Sequence, residues 1–278
     1  MTIDEIIIQA LREDIGEGDH TSLSTIPISA FGKARLLVKE SGVLAGMDIA
    51  KKVFYYTDPQ IVMDQFINDG TCVKNGDIAF EVRGPSVSLL TAERTALNFM
   101  QRMSGIATQT RMMVDAIGEL PTRVLDTRKT TPLLREIEKI AVRLGGGFNH
   151  RFGLFDMILI KDNHVDFAGG ISQAITACHK YLKNKDLTLA IEIETRNLEE
   201  VRQVLRHGEV DRIMLDNFSF EMLRQAVQLI SGRFETEASG GITLQTIRNY
   251  AECGVDFVSV GSLTHHINSL DLSLKAVN

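Results

Sequence analysis

Leu187-Thr-Leu-Ala-Ile-Glu-Ile193 before Glu194, Arg212-Ile-Met-Leu215 before Asp216, Phe234-Glu-Thr-Glu-Ala238 before Ser239 and Asp256-Phe-Val-Ser-Val260 before Gly261 are four short apolar runs, each closed by a polar residue or glycine. Amphipathic segments separate them, with Asn197, Ser219 and Thr243 placed as helix caps and Gly208 and Gly254 as stops. The closing positions 194, 216, 239 and 261 lie 22, 23 and 22 residues apart, the length of one short strand–helix unit. Repeated units of this kind bury a parallel sheet, either doubly wound or curled into a barrel.

The pattern extends upstream. Val124-Leu125 ends at Asp126, and a helix is predicted from Pro132, a favoured first helical position, to Gly145. Met157–Ile160 ends at Lys161, before a helix across Ile171–Leu182. Six strands fall short of the eight of a complete barrel. The expectation is therefore a barrel with fewer strands, or one that borrows a weak strand near Ile106–Thr108. Before Arg102 the texture differs. Lys33–Lys39, Gln60–Ile67 and Asp77–Val82 alternate as strands between the turn signals Ser41-Gly42, Asp69-Gly70 and Asn75-Gly76, and Leu90–Met103 reads as a helix. This half is α+β.

Composition narrows the function. With 278 residues, 44% hydrophobic and 24% charged, the chain is a globular protein rather than a collagen-like or disordered one. A net charge of −6 argues against nucleic acid or a membrane surface as a general partner. No apolar run approaches a membrane span, and the acidic helical start (Asp4, Glu5, Glu13, Asp14) is unlike a signal peptide. Three isolated cysteines make no disulfide framework or zinc site, so a cytoplasmic protein is expected. The charge is uneven, however. Arg123 to Lys161 carries eight basic and four acidic residues, a net +4 that leaves −10 for the rest. A basic island in an acidic chain marks a localised anion site.

In a parallel strand–helix fold the strand ends converge on the face where chemistry is placed. Asp126, Lys161, Glu194, Asp216, Ser239 and Gly261 all fall there. Arg128-Lys129 and His150-Arg151 add cations, and arginine forks match carboxylate and phosphate oxygens bidentately. The pair Glu194 and Asp216 suits Mg²⁺, sugar hydroxyls or an oxocarbenium-like cation, three readings the residues leave open. Ser239-Gly240-Gly241 and Val260-Gly261-Ser262 occupy turns where barrels bind phosphate. Gly145-Gly146-Gly147 follows a helix and reads as a cap and turn. His164 falls equally between direct contact and support of its neighbours.

These residues resemble those of the quinolinate phosphoribosyltransferases (nicotinate-nucleotide pyrophosphorylase, carboxylating). The resemblance lies in Asp126-Thr-Arg-Lys-Thr-Thr-Pro132, Gly145-Gly-Gly-Phe-Asn-His-Arg151 and Lys161-Asp-Asn-His164, with Ile191-Glu-Ile-Glu194, Met214-Leu-Asp-Asn-Phe218 and Ala238-Ser-Gly-Gly-Ile242 in order behind them. It implies an N-terminal open α/β sandwich over residues 1–106 and an incomplete (β/α) barrel over 107–278, whose tail packs back on the first domain. It also implies a homodimer, Mg²⁺, and the conversion of quinolinate and phosphoribosyl pyrophosphate to nicotinate mononucleotide, pyrophosphate and CO₂. On the resemblance, Arg102 is donated to the neighbouring subunit's site. Thr127, Arg128, His150 and Arg151 serve quinolinate, and Lys129 and Lys161 serve quinolinate and phosphates. Glu194 and Asp216 stand at the ribose and Mg²⁺, and Ser239, Gly240, Gly241, Val260, Gly261 and Ser262 cradle the 5′-phosphate. Two departures are visible: Leu133 where the family usually has glycine, and Phe148 where valine is common.

Overall fold

The chain opens on helix α1 (Ile3–Ile15), whose first turn is closed reciprocally. Thr2 accepts the Glu5 N–H, and the Glu5 carboxylate accepts the Thr2 N–H. In the computed structural model, which describes residues 1–277, there follow α2 (His20–Thr25), β1 (Phe31–Val38), β2 (Gly42–Val43), α3 (Met47–Thr57), β3 (Val62–Gln65), β4 (Cys72–Val73) and β5 (Ile78–Pro85). The long α4 (Ser86–Ile117) leads to β6 (Arg123–Leu125), α5 (Arg135–Leu144), β7 (Ile158–Ile160), α6 (Asp162–Ala168) and α7 (Ile171–Lys185). The repeating part is β8 (Ile191–Thr195), α8 (Leu198–His207), β9 (Arg212–Asp216), α9 (Phe220–Ile230), β10 (Glu235–Ser239), α10 (Ile247–Ala251) and β11 (Phe257–Ser259). Two short elements close the chain: α11 (Ser262–His265) and β12 (Leu272–Val277).

These elements form two units. The first holds Met1–Arg111, Thr130–Gly146 and the chain from Leu263 onward. Its antiparallel sheet has the order β12-β1-β5-β3, so the C-terminal tail supplies an edge strand beside β1, from Val38 opposite Leu272 to Lys33 opposite Val277. Period-2 alternation buries Ala34, Leu36 and Val38 of β1. Against them Phe80 meets Phe54 of α3 edge-on, ring centroids 6.0 Å apart. Helix α5 belongs to this unit, whereas a single division after residue 106 assigns it to the barrel domain. Its end is tied to α4: Arg111 Nε donates to the Gly145 carbonyl at 3.0 Å. A Cβ on Gly145 would stand 2.4 Å from the Ala107 oxygen, so only glycine fits.

The second unit, Met112–Lys129 with Gly147–Ser262, is the repeating part. All its strands are parallel, in the order β6-β11-β10-β9-β8-β7, a six-stranded incomplete barrel open between β6 and β7. Ile193, Ile213, Ala238 and Val258 are fully buried within it. Asn197 and Ser219 cap α8 and α9 by accepting the Glu200 and Met222 N–H groups, as their positions predict.

Three expectations change. Ile106–Thr108 is not a borrowed strand but part of α4, with Met103, Ile106, Ala107 and Thr110 on one buried helical face. The hydroxyls of Thr108 and Thr110 donate to the carbonyls four residues earlier, which settles these residues in a helix. Helix α5 begins at Arg135 rather than Pro132, because Leu133 takes a left-handed φ of 68°. The cap of α10 is Thr246, not Thr243. Among the described residues no helix is long and apolar enough to cross a membrane.

Candidate active site

Strand register assembles the site in the second unit. Ser239 lies opposite Asp216, Thr195 opposite Leu215 and Ile160 opposite Ile193, so the ends of neighbouring strands fall at one level. Alternation then puts Glu192, Glu194, Arg212, Met214, Asp216, Glu237 and Ser239 on one face of β8, β9 and β10.

The cations sit on loops braced by acids. Asp126, fully buried after β6, accepts the Asn149 side-chain amide at 2.6 Å and the His150 backbone N–H at 2.8 Å. Thr127 Oγ1 accepts the Lys129 N–H at 3.0 Å, which turns the chain at Arg128. Beyond His150, Asp156 accepts the N–H groups of Phe152 and Gly153, and Arg151 Nη1 reaches the Met157 carbonyl at 3.1 Å. Burial, and after it the Arg128 charge, holds the Arg151 guanidinium below its usual range, with Glu192 and Asp156 opposing. Two arginines thus face one region. Lys161, exposed after β7, donates its backbone N–H to His164 Nδ1 at 2.9 Å. His164 supports Lys161 through the backbone.

The carboxylates divide into two levels. Burial, and then the Asp216 charge, raises the Glu194 carboxyl above the usual range, while Lys161 opposes the shift. Two acids and a lysine therefore share a half-buried space. Below them, Glu192 and Glu237 have no exposed surface. Burial pushes Glu192 up to about 7 and Glu237 to about 8, the latter also through the Glu192 charge. Glu192 Oε2 stands 2.9 Å from His150 Nε2, and Arg212 Nη1 stands 3.1 Å from Glu237 Oε2.

The glycine turns differ from one another. Gly240 and Gly241 have φ of 104° and 59°, and a Cβ on Gly240 would strike the Asn217 side chain at 2.2 Å. Asn217 itself is left-handed at 56°, donates its N–H to the Ser239 carbonyl and its side-chain amide to Asp216. Gly261 and Ser262 are half-exposed, but Val260 is buried and its N–H is engaged by the Leu125 carbonyl at 2.9 Å. That donor is not open to a phosphate.

Arg102 lies in the first unit. Its Nε and Nη2 grip the buried Glu138 Oε1 at 2.9 and 2.6 Å, and Nη2 also donates to Thr131 Oγ1 and the Thr264 carbonyl. Glu138, Glu192, Glu237 and Asn217 went unflagged in the sequence. A signal existed for Glu192: it alternates in phase with Glu194 along one strand.

A parallel barrel that gathers arginines, lysines and paired acids beside glycine turns defines an enzyme of small polyanionic substrates. Models of the quinolinate phosphoribosyl transferase N-terminal and C-terminal domains match residues 19–104 and 106–275. Quinolinate phosphoribosyltransferase [decarboxylating] 1b of Nicotiana tabacum is 47% identical over 97% of this chain and 81% of its own length. The probable nicotinate-nucleotide pyrophosphorylase [carboxylating] of Synechocystis is 42% identical over 99% of the chain and 92% of its own. The crystal structure of NadC from Streptococcus pyogenes superposes with a TM-score of 0.94 at 41% identity, covering 99% of this chain and 97% of that one. The chain belongs to the quinolinate phosphoribosyltransferase family.

Proposed function

We propose that this chain converts quinolinate and phosphoribosyl pyrophosphate to nicotinate mononucleotide, pyrophosphate and CO₂, a step of de novo NAD synthesis. The observation that carries the reading is the pairing of Arg128 with Arg151 in one field, in the same unit that groups Lys161, Glu194 and Asp216 at its strand ends. Two guanidiniums suit a substrate with two carboxylates, and their mutual repulsion is relieved when that dianion binds.

Arg128 and Arg151 hold the carboxylates, so the pyridine nitrogen is aimed at the anomeric carbon. Glu194 and Asp216 favour the positive charge that develops there as the bond to pyrophosphate breaks. Lys129 and Lys161 meet the negative charge leaving with pyrophosphate, while Ser239, Gly240, Gly241, Gly261 and Ser262 hold the 5′-phosphate. Once the ring nitrogen is quaternary, its charge stabilises the carbanion left when the adjacent carboxylate departs as CO₂. No side chain has to act as a nucleophile. The hard oxygen donors of Glu194 and Asp216, close enough that the Asp216 charge adds to the burial that raises Glu194, fit Mg²⁺. When bound there, Mg²⁺ supplies charge neutralisation for the pyrophosphate.

The functional form on this reading is a homodimer in which Arg102 serves the neighbouring subunit's site. Free thiols at Cys72, Cys178 and Cys253 suit a reducing, cytoplasmic setting. The test is release of CO₂ from quinolinate with phosphoribosyl pyrophosphate, absent when nicotinate replaces quinolinate. Equal pyrophosphate release from both substrates would refute the reading.

A further inference from the structure

Strand β9 ends at Asp216, and the next residue breaks its alternation. Along a continuing strand Asn217 would point to the face opposite Asp216. Its left-handed φ of 56° instead brings the carboxamide round, and Nδ2 donates to Asp216 Oδ2 at 2.6 Å. An ionised carboxylate only accepts, so the amide nitrogen and not its oxygen faces Asp216. Leu215 and Phe218 on either side are buried, which anchors this piece of backbone at both ends.

The carboxamide also has a seat on the neighbouring strand end. Ser239 lies opposite Asp216 in the register of β9 and β10, and its carbonyl accepts the Asn217 backbone N–H at 2.9 Å. Just past it, a Cβ on Gly240 would stand 2.2 Å from Asn217 Oδ1 and 2.9 Å from the Asn217 backbone nitrogen. Position 240 is therefore closed to side chains twice over, by its φ of 104° and by the carboxamide packed against it. Asp216 meanwhile lies near enough to Glu194 for its charge to raise that carboxyl. Two acids at that separation repel, and a donor bonded to one oxygen of Asp216 fixes the attitude of the other.

We propose that Asn217 is a positioning residue: its carboxamide, seated against Gly240, holds Asp216 Oδ2 and leaves Oδ1 for the ribose and Mg²⁺ of phosphoribosyl pyrophosphate. This rests on the reading of Asp216 as an acid at that substrate. The plainer account of Asn217 is that asparagine tolerates a left-handed φ. Glycine and aspartate tolerate it as well, and that separates the two accounts.

The experiment uses the intact protein with Asn217→Gly, Asn217→Asp and Asp216→Ala. Calorimetry measures the Kd of phosphoribosyl pyrophosphate with Mg²⁺ and, separately, of quinolinate, and ¹H–¹⁵N spectra follow the Asn217 side-chain amide. Asn217→Gly keeps the turn and the backbone bond to Ser239 and loses only the carboxamide. Its Kd for phosphoribosyl pyrophosphate should rise roughly 10- to 100-fold, the scale for losing a residue that orients a ligand. Asn217→Asp puts an acceptor where the donor was and should be impaired at least as much. The quinolinate Kd should stay within about twofold in both variants. In the wild type one Asn217 amide proton should lie downfield, and Asp216→Ala should move it upfield. A phosphoribosyl pyrophosphate Kd near wild type in Asn217→Gly and Asn217→Asp, an equal rise for both substrates, or an Asn217 amide indifferent to Asp216→Ala overturns the proposal. If the Asn217 variants do not fold, the amide spectra still decide. A wild-type chain that binds no phosphoribosyl pyrophosphate is a separate failure, of the functional reading, and leaves the amide test standing.

Discussion

The buried acids make stability depend on pH in a direction that can be worked out. Burial raises Glu237 from 4.5 to about 8 and Glu192 from 4.5 to about 7. Between about pH 5 and about pH 7 the folded chain therefore keeps protons that the unfolded chain has released. For carboxyls raised in this way, the stabilising contribution is complete below 4.5 and is lost as pH climbs through the folded values. Each such group costs about 1.4 kcal/mol per pH unit inside that window. Glu237→Gln replaces the neutral acid by a neutral isostere and removes one titration. Over two pH units the variant should lose roughly 3 kcal/mol less than the wild type, or roughly 10 °C in Tm at about 3 °C per kcal/mol. The assay is a series of thermal melts of both proteins from about pH 5 to about pH 8. The two Tm values should coincide at the acid end, where both side chains are neutral, and diverge in the variant's favour toward the alkaline end. Titrating groups that do not touch Glu237 are common to both proteins and cancel in the difference, while Glu192, whose charge adds to the Glu237 shift, does not. Parallel curves would refute the argument, because they would mean that Glu237 is ionised throughout.

Arg128→Ala should abolish most quinolinate binding in calorimetry while leaving the fold intact, and near-normal affinity would overturn the clamp. Arg102→Ala and Lys161→Ala should each be nearly inactive, yet mixing them should restore about a quarter of the sites if Arg102 crosses a dimer interface, and none if it serves its own chain. Asp216→Asn should raise the Mg²⁺ concentration for half-maximal turnover roughly tenfold or more, with quinolinate affinity unmoved; equal Mg²⁺ dependence would remove Asp216 from the metal. Leu133→Gly should raise Tm by roughly 1–3 °C. The left-handed φ of 68° costs leucine about 1–2 kcal/mol, glycine's chain entropy returns about 0.5–1 of it, and the 68% exposed side chain gives up little burial. A lower Tm would show that Leu133 makes contacts worth more than its strain.

Much of this site is legible in the sequence because each strand–helix unit is local. Asp126, Lys161, Glu194, Asp216 and Ser239 mark strand ends within a few residues of their own turns, and the structure places them there. Asn197 and Ser219 cap the helices their spacing predicts. What sequence misses depends on distant partners. Ile106–Thr108 reads as a short apolar run, and its place in α4 goes with a buried face that meets distant chain, since a Cβ on the neighbouring Gly105 would meet the Asn268 carbonyl at 2.1 Å. Glu192 and Glu237 alternate with apolar residues, which ordinarily means facing water. Only the register of β8, β9 and β10 turns them inward. Glu138 looks like an exposed helix acid until Arg102, 36 positions earlier, is seen to hold it.

The basic island between Arg123 and Lys161 is in fact two populations. Five basic and two acidic residues of it lie in the barrel unit, and three basic and two acidic ones lie in α5 of the first unit. The two acids on the barrel side, Asp126 and Asp156, are both bonded to backbone N–H groups of the loop that carries His150 and Arg151. They shape the loop. Counter-charge for Arg151 comes first from Glu192, a layer below, with Asp156 behind it. The placement has a consequence. An acid beside the arginines would occupy the position of a substrate carboxylate, whereas one beneath them lowers the cost of holding two cations together. Raising Glu192 to about 7 tempers this further, since a partly protonated acid compensates only partly.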